Sequence, residues 1–194
     1  QDGQAIPWIK AVVGGRSVGV PGVLSALKMA HQQYGKLPWE ALFEDAINLA
    51  DSGFRVSPRL QKLVELEFNP GLAELPEINQ YFFPQGRPIR AGDKLKNPQL
   101  ANVYRSLAKE GIKPFYQGWI AKKIVAAVQN AKVAPGVLSL ADMKNYSAVE
   151  RPAVCGPYRN YQICGMAPPS SGGIAVIQIL SQLAPFKIDR KSVV

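Results

Sequence analysis

The chain reads as α+β, mostly helical, on three observations. Apolar residues recur at helical spacing through residues 1–150, cut into segments by prolines and glycines. From Arg151 the pattern changes to two short runs around Arg159-Asn160, the mark of a β-hairpin. The second run continues as Tyr161-Gln162-Ile163-Cys164-Gly165-Met166-Ala167-Pro168-Pro169-Ser170-Ser171-Gly172-Gly173 into an apolar run at 174–180, so a strand stops at two prolines and restarts as a helix. With 194 residues, 47% of them apolar, the chain can bury a core as one domain or as part of a larger one.

The first elements follow from local chemistry. Val12-Val13 predicts a short strand, and the glycine-rich stretch Gly14-Gly15-Arg16-Ser17-Val18-Gly19-Val20-Pro21-Gly22 predicts a loop turning into a helix. That stretch is not a phosphate loop: it lacks Gly-x-Gly-x-x-Gly, and Val20 stands where lysine is needed. Leu24, Leu27 and Ala30 give an amphipathic helix over 23–33, ending near Gly35. Pro38 opens a second helix whose apolar face is Leu42, Phe43, Ala46, Ile47, Leu49 and Ala50, with Gly53 as its left-handed cap. Ser57-Pro58 starts a third, through Leu60, Leu63, Val64 and on to Glu67.

Residues 69–92 are expected to be irregular, broken by Pro70, Pro76, Pro84 and Pro88. Asn97-Pro98 then caps a helix through Leu100, Val103, Tyr104, Leu107 and Ala108, stopped by Gly111. A helix over 119–131 carries Ile120, Ile124, Val125 and Val128 on one side, and Ser139-Leu140-Ala141-Asp142 spells a capping box for a short helix towards Tyr146. No linker divides this helical part.

In the hairpin, Asn160 is a residue able to take positive φ. A two-residue turn sets Tyr158 opposite Tyr161 and Cys155 opposite Cys164. That is a non-hydrogen-bonded pair with Cα atoms about 4.5 Å apart, within disulfide reach. A disulfide and two buried thiols both fit this pattern. In the last stretch, Ser170 or Ser171 is expected to cap the helix, Gly172 and Gly173 to admit another backbone closely, and Ile174, Ile177 and Leu180 to be buried.

Charge and composition exclude more than they assign. The formal charge is +9, but the basic residues are scattered, the densest groups being Lys122-Lys123 and Arg190-Lys191. A nucleic-acid protein would show a basic stripe or a recognisable module, so no nucleic-acid partner is expected. No apolar run reaches the roughly 18 residues of a membrane span. The first residues, Gln1-Asp2-Gly3-Gln4-Ala5, do not resemble a signal peptide.

No catalytic constellation assembles from these residues alone. His31 is the single histidine and has no triad pattern around it; with two cysteines it makes no zinc site, and no cofactor is implied. Glu44-Asp45 and Glu65 with Glu67 read as solvated helix charges. Ser170-Ser171 ahead of a helix could bind an anion, but capping is the simpler reading.

The ordered motifs carry a resemblance. Residues 12–22, Tyr34-Gly35-Lys36-Leu37-Pro38-Trp39, Ala46-Ile47-Asn48-Leu49-Ala50-Asp51-Ser52-Gly53-Phe54, Phe115-Tyr116-Gln117-Gly118, Leu140-Ala141-Asp142-Met143-Lys144-Asn145-Tyr146, Tyr158-Arg159-Asn160-Tyr161 and the proline–serine–glycine stretch resemble gamma-glutamyltransferases. In the last of these Ala167 takes the place of a first proline, and Asn160 stands where glycine is common.

The resemblance implies an N-terminal-nucleophile hydrolase. Its fold would be a four-layer αββα sandwich, with residues 1–150 a helical lobe and 151–194 the strands and helix entering the central layers, all within one large-subunit domain. It implies a proenzyme that cleaves itself, a small subunit whose new N-terminal threonine is the nucleophile with its own amine as base, and glutathione with amino-acid or peptide acceptors as substrates. This chain has no threonine. It would be an internal piece of the large subunit, with no catalytic, substrate-binding or metal residue carried over, and inactive alone. Family members in bacteria are periplasmic or secreted, which suits a Cys155–Cys164 disulfide. A cephalosporin-type acylase of the same superfamily and a non-catalytic basic binding module are the alternatives.

Overall fold

The computed structural model describes residues 5–187. They fall into two compact units, Gln1–Ala148 and Val149–Val194, and the class is α+β: ten helices and two small antiparallel sheets among the described residues. Lys191 and its neighbour Arg190 lie outside the described residues.

The first unit opens with α1 (Trp8–Val12). The strand expected at Val12-Val13 is absent: no described strand offers these residues a ladder, and the amides of Lys10 and Ala11 turn back onto the Pro7 carbonyl at 2.9 and 3.1 Å. The glycine-rich loop is a packing device, as its failed phosphate-loop tests required. Gly15 N–H donates to Val133 O (3.2 Å), Arg16 N–H to Ala134 O (2.7 Å) and Gly136 N–H to Val128 O (2.9 Å). A side chain on Gly15 would be driven into the Val128 carbonyl and the Gly136 amide. Two main chains lie in contact here because neither carries a Cβ.

Next come α2 (Val23–Tyr34), α3 (Glu44–Ser52), β1 (Phe54–Arg55) and α4 (Pro58–Glu65). Glu44 and Asp45 are exposed in the first turn of α3, where carboxylates complement the helix dipole. Gly53 has φ 84°, and the Leu95 carbonyl and the Lys96 side chain stand where its Cβ would be. α4 ends two residues before Glu67, whose φ of 45° cannot continue a helix.

Residues 69–92 hold more order than their prolines led one to expect. Pro76 begins α5 (Pro76–Phe82) rather than breaking it, since the first helical position needs no N–H. Next comes β2 (Lys94–Leu95), which pairs antiparallel with β1 across some 40 residues of chain, Phe54 opposite Leu95. The strands and helices around them enclose one apolar cluster of Val56, Val64, Leu72, Ile89 and Leu95.

α6 (Pro98–Glu110) is capped by Asn97 Oδ1, which accepts from Leu100 N–H at 2.9 Å, and stopped by Gly111 at φ 70°. It packs against α3, and Trp39 Nε1 donates to Leu107 O at 2.8 Å on its last turns. After α7 (Lys113–Tyr116), α8 (Trp119–Gln129) buries Ile120, Ala121, Val125 and Val128, ending two residues short of the expected 131. α9 (Leu140–Asn145) has the full capping box: Ser139 Oγ accepts from Asp142 N–H, and Asp142 Oδ2 accepts from Ser139 N–H.

The Ser139 hydroxyl and amide hold the Asp142 carboxyl below its usual range. A group so lowered contributes stability that is present above its unfolded pKa and lost as the pH falls through the folded value. The melting-temperature gap between wild type and Asp142→Asn is therefore expected at neutral pH and should close on acidification below the ordinary value of 3.8.

Tyr116, Ala121, Val125, Val128, Leu138 and Met143 form the second apolar cluster. Its polar centre is the Tyr116 hydroxyl, which donates to Pro21 O at 2.7 Å and accepts from Ser25 N–H at 3.1 Å. Burial pushes this phenol's pKa up, so it stays protonated and keeps donating. Tyr116→Phe would orphan both backbone groups and is expected to cost about 1–3 kcal/mol in denaturant unfolding.

The second unit is β3 (Val154–Tyr158), β4 (Tyr161–Gly165) and α10 (Gly172–Leu183). The register is the one counted from the sequence: Tyr158 opposite Tyr161, Cys155 opposite Cys164. Pro157, which has no N–H to give, falls at a non-hydrogen-bonded pair. The positive φ at the turn is on Arg159 (53°), not Asn160. Arg159 is held there by its guanidinium over the Tyr158 ring and a donation to Phe186 O at 3.3 Å.

Candidate functional site

The stretch that the sequence singles out, Met166 to Gly173, joins β4 to α10 and is fixed by three close contacts. Arg151 Nη1 donates to Pro168 O at 2.7 Å, tying the turn to the residues that enter β3. A Cβ on Gly173 would lie 2.5 Å from Met166 O and 2.9 Å from Gly165 C. A Cβ on Gly156 would lie 2.5 Å from Ile177 Cγ2. The close backbone approach expected at Gly173 is therefore present, and α10 sits on the hairpin through three glycines.

The serines behave otherwise than expected. Ser171 occupies the N-cap position but in helical backbone geometry, and no side chain caps α10. A capping residue needs extended backbone to aim its oxygen at the first-turn amides, and φ −81°, ψ −22° forbids it. Both hydroxyls are exposed.

Few ionisable groups accompany these serines in the second unit. Among the described residues of this unit there is no histidine, and Glu150 is the one carboxylate. His31, in the first unit, is half-buried, donates from Nε2 to Leu37 O at 2.8 Å and meets the Trp39 ring edge-on at 5.2 Å. Among the described residues no His/Cys/Asp/Glu group could hold a metal, and no helix is long and apolar enough to cross a membrane.

α10 bears Gln178, Ser181 and Gln182 along one side and apolar side chains over most of the rest. Ile177 and Leu180 are half-buried, but Ile174, Val176, Ile179 and Leu183 are exposed, as is Phe186 just beyond. Ile174 was expected to be buried. A helix that leaves this much apolar surface open is suited to packing against a further body. Residues 1–194 alone are accordingly expected to self-associate, which light scattering behind size exclusion would detect; a monomer at all concentrations would count against that reading.

Cys155 and Cys164 lie across the hairpin with Cα atoms 4.2 Å apart and their sulfurs in bonding contact.

The motifs with ordered neighbours meet one another. Pro21, Tyr116 and the segment ending at Tyr146 share one hydrogen-bonded centre: the Tyr116 and Tyr146 rings stack at 6.0 Å, and Ala148 N–H reaches Ser25 Oγ at 3.1 Å. The residues of the resemblance that meet in this centre are packing and turn residues.

Comparison with known proteins agrees with that pattern. The gamma-glutamyltranspeptidase family profile matches residues 2–193. A glutathione hydrolase proenzyme of Escherichia coli is 32% identical over 181 residues, covering 93% of this chain and 31% of that protein. The crystal structure of Helicobacter pylori gamma-glutamyltranspeptidase superposes with a TM-score of 0.87 at 28% identity, over 97% of this chain and 53% of the other. A cephalosporin acylase from Bacillus halodurans shares the fold, with a TM-score of 0.77 at 24% identity over 95% of this chain and 36% of that one. The chain spans roughly a third of the length of the curated relatives it matches, 30–32%. Matched across almost its whole length, this chain belongs to the gamma-glutamyltranspeptidase family.

Proposed function

We propose that the chain is a segment of the large subunit of a self-processing gamma-glutamyltransferase, and that the complete protein transfers or hydrolyses the gamma-glutamyl group of glutathione and related compounds. The observation that carries this reading is the family match across residues 2–193. The nucleophile is a threonine at the new N-terminus of a small subunit, with its own amine as base. One feature supports a nucleophile supplied from outside: the chain contains no threonine. The word proenzyme in the name of the Escherichia coli relative supports maturation by cleavage.

In this reading residues 1–194 belong to one domain, and the apolar faces of α10 are covered by the rest of the protein, the small subunit included. The acyl group passes to water or to an amino-acid or peptide acceptor. The protein works in the periplasm or outside the cell, where a Cys155–Cys164 disulfide persists.

The fold shared with the acylase gives the alternative, hydrolysis of a cephalosporin side-chain amide. The test is to supply the complete protein with a chromogenic gamma-glutamyl amide and with an acyl cephalosporin. Release from the first alone supports the proposal. Release from the second alone transfers the assignment to the acylases. Residues 1–194 alone should release neither.

A further inference from the structure

We infer that Cys155 and Cys164 form a thiol-exchange site, a bridge that low-molecular-weight thiols open and re-form in the folded protein. The inference rests on the disulfide proposed above and adds its chemistry.

Side chains alternate across the hairpin. Gly156, Ile163 and Gly165 are buried or half-buried on one face, the face on which Ile177 and Gly173 of α10 sit. Cys155, Pro157, Gln162 and Cys164 share the other face, and all four are exposed. Within residues 1–194 both cysteines therefore lie on the face that α10 leaves open, and α10 is held by contacts that do not involve them.

Register makes the opening reversible. Cys155 and Cys164 form a non-hydrogen-bonded pair, so cleaving the bridge removes no ladder bond. Tyr158–Tyr161 and Gly156–Ile163, on the hydrogen-bonded positions, keep the strands aligned. The Cα atoms stay near 4.2 Å, so re-closure is an intramolecular step between neighbours. The chain's formal charge of +9 favours anionic thiols over neutral ones.

The exchange balances as two displacements. A thiolate attacks one Sγ, the protein S–S bond breaks, and the other cysteine leaves as a thiolate that takes up a proton. A second thiolate attacks the mixed disulfide, releasing the first cysteine and the oxidised dimer of the reductant. Two electrons reach the protein, and two reductant thiols become one disulfide.

The experiment is alkylation of the complete native protein with iodoacetamide, before and after reduced glutathione, read by peptide mass mapping. The expected result is no label before treatment and labels on both cysteines afterwards. A glutathione adduct on either cysteine should be trapped by acid quench, the far-ultraviolet circular dichroism should not change, and oxidised glutathione should restore the unlabelled state. Labelling that requires denaturant would overturn the exchange site while leaving the disulfide standing. Labelling of the untreated protein would remove the disulfide and the inference together, and gamma-glutamyl hydrolysis measured in parallel reports separately on the proposed function.

Discussion

Gly173→Ala is expected to destabilise the protein by about 3 kcal/mol, the upper end of the range for overpacking. The added methyl has nowhere to go: Met166 O and Gly165 C stand 2.5 and 2.9 Å from where it would sit, and both are main-chain atoms. A flexible side chain could swing aside; a strand end and a turn cannot do so without moving α10 off the hairpin. The preceding residue supplies the control. The nearest atom to a Cβ on Gly172 is Ser170 Oγ at 4.0 Å, so Gly172→Ala should stay within about 0.5 kcal/mol of wild type. Scanning calorimetry of both variants checks the contrast. Equal melting temperatures would mean that α10 does not rest on Gly165.

Met143→Ala is expected to cost about 2–5 kcal/mol, the loss of a large buried side chain together with the cavity it leaves. Met143 has no exposed surface and packs with Tyr116, Ala121, Val125, Val128 and Leu138. It sits on α9, a six-residue helix that is too short to persist without its capping box and this one anchor. Met143→Leu keeps nearly the same volume and should cost less than about 1.5 kcal/mol. Urea midpoints of the two variants separate a packing role from a merely tolerant position.

The legible parts of the fold were those decided within a few residues. Asn97-Pro98 and the Ser139 to Asp142 box fixed two helix starts because a cap and its amides are neighbours in sequence. The hairpin register was countable because the turn has two residues. The ladder of Phe54-Arg55 with Lys94-Leu95 was not legible, since two-residue strands leave no periodicity and their pairing is non-local. Pro76 looks like a breaker in the sequence but is a first-turn residue, because the amides of Ile78 and Asn79 turn back onto the Leu75 carbonyl. Arg159 rather than Asn160 took the positive φ because a ring and a distant carbonyl hold it, and neither partner shows in the local sequence.

The site follows the same division. That few ionisable groups stand near Ser170 and Ser171 in sequence could be read from composition. That Ser171 does not cap α10 could not, since it depends on the backbone angles of one turn. The motifs carry the resemblance through glycines, prolines and tyrosines, and those with contacts described above work in packing and turns.

We propose that this chain works with a second polypeptide carrying a threonine at its N-terminus. Intact-mass analysis and peptide mapping of the mature protein, isolated from its source, test it most directly. The account predicts two polypeptides, one containing residues 1–194 and the other beginning with threonine. A single uncleaved polypeptide that nonetheless hydrolyses gamma-glutamyl amides would contradict it.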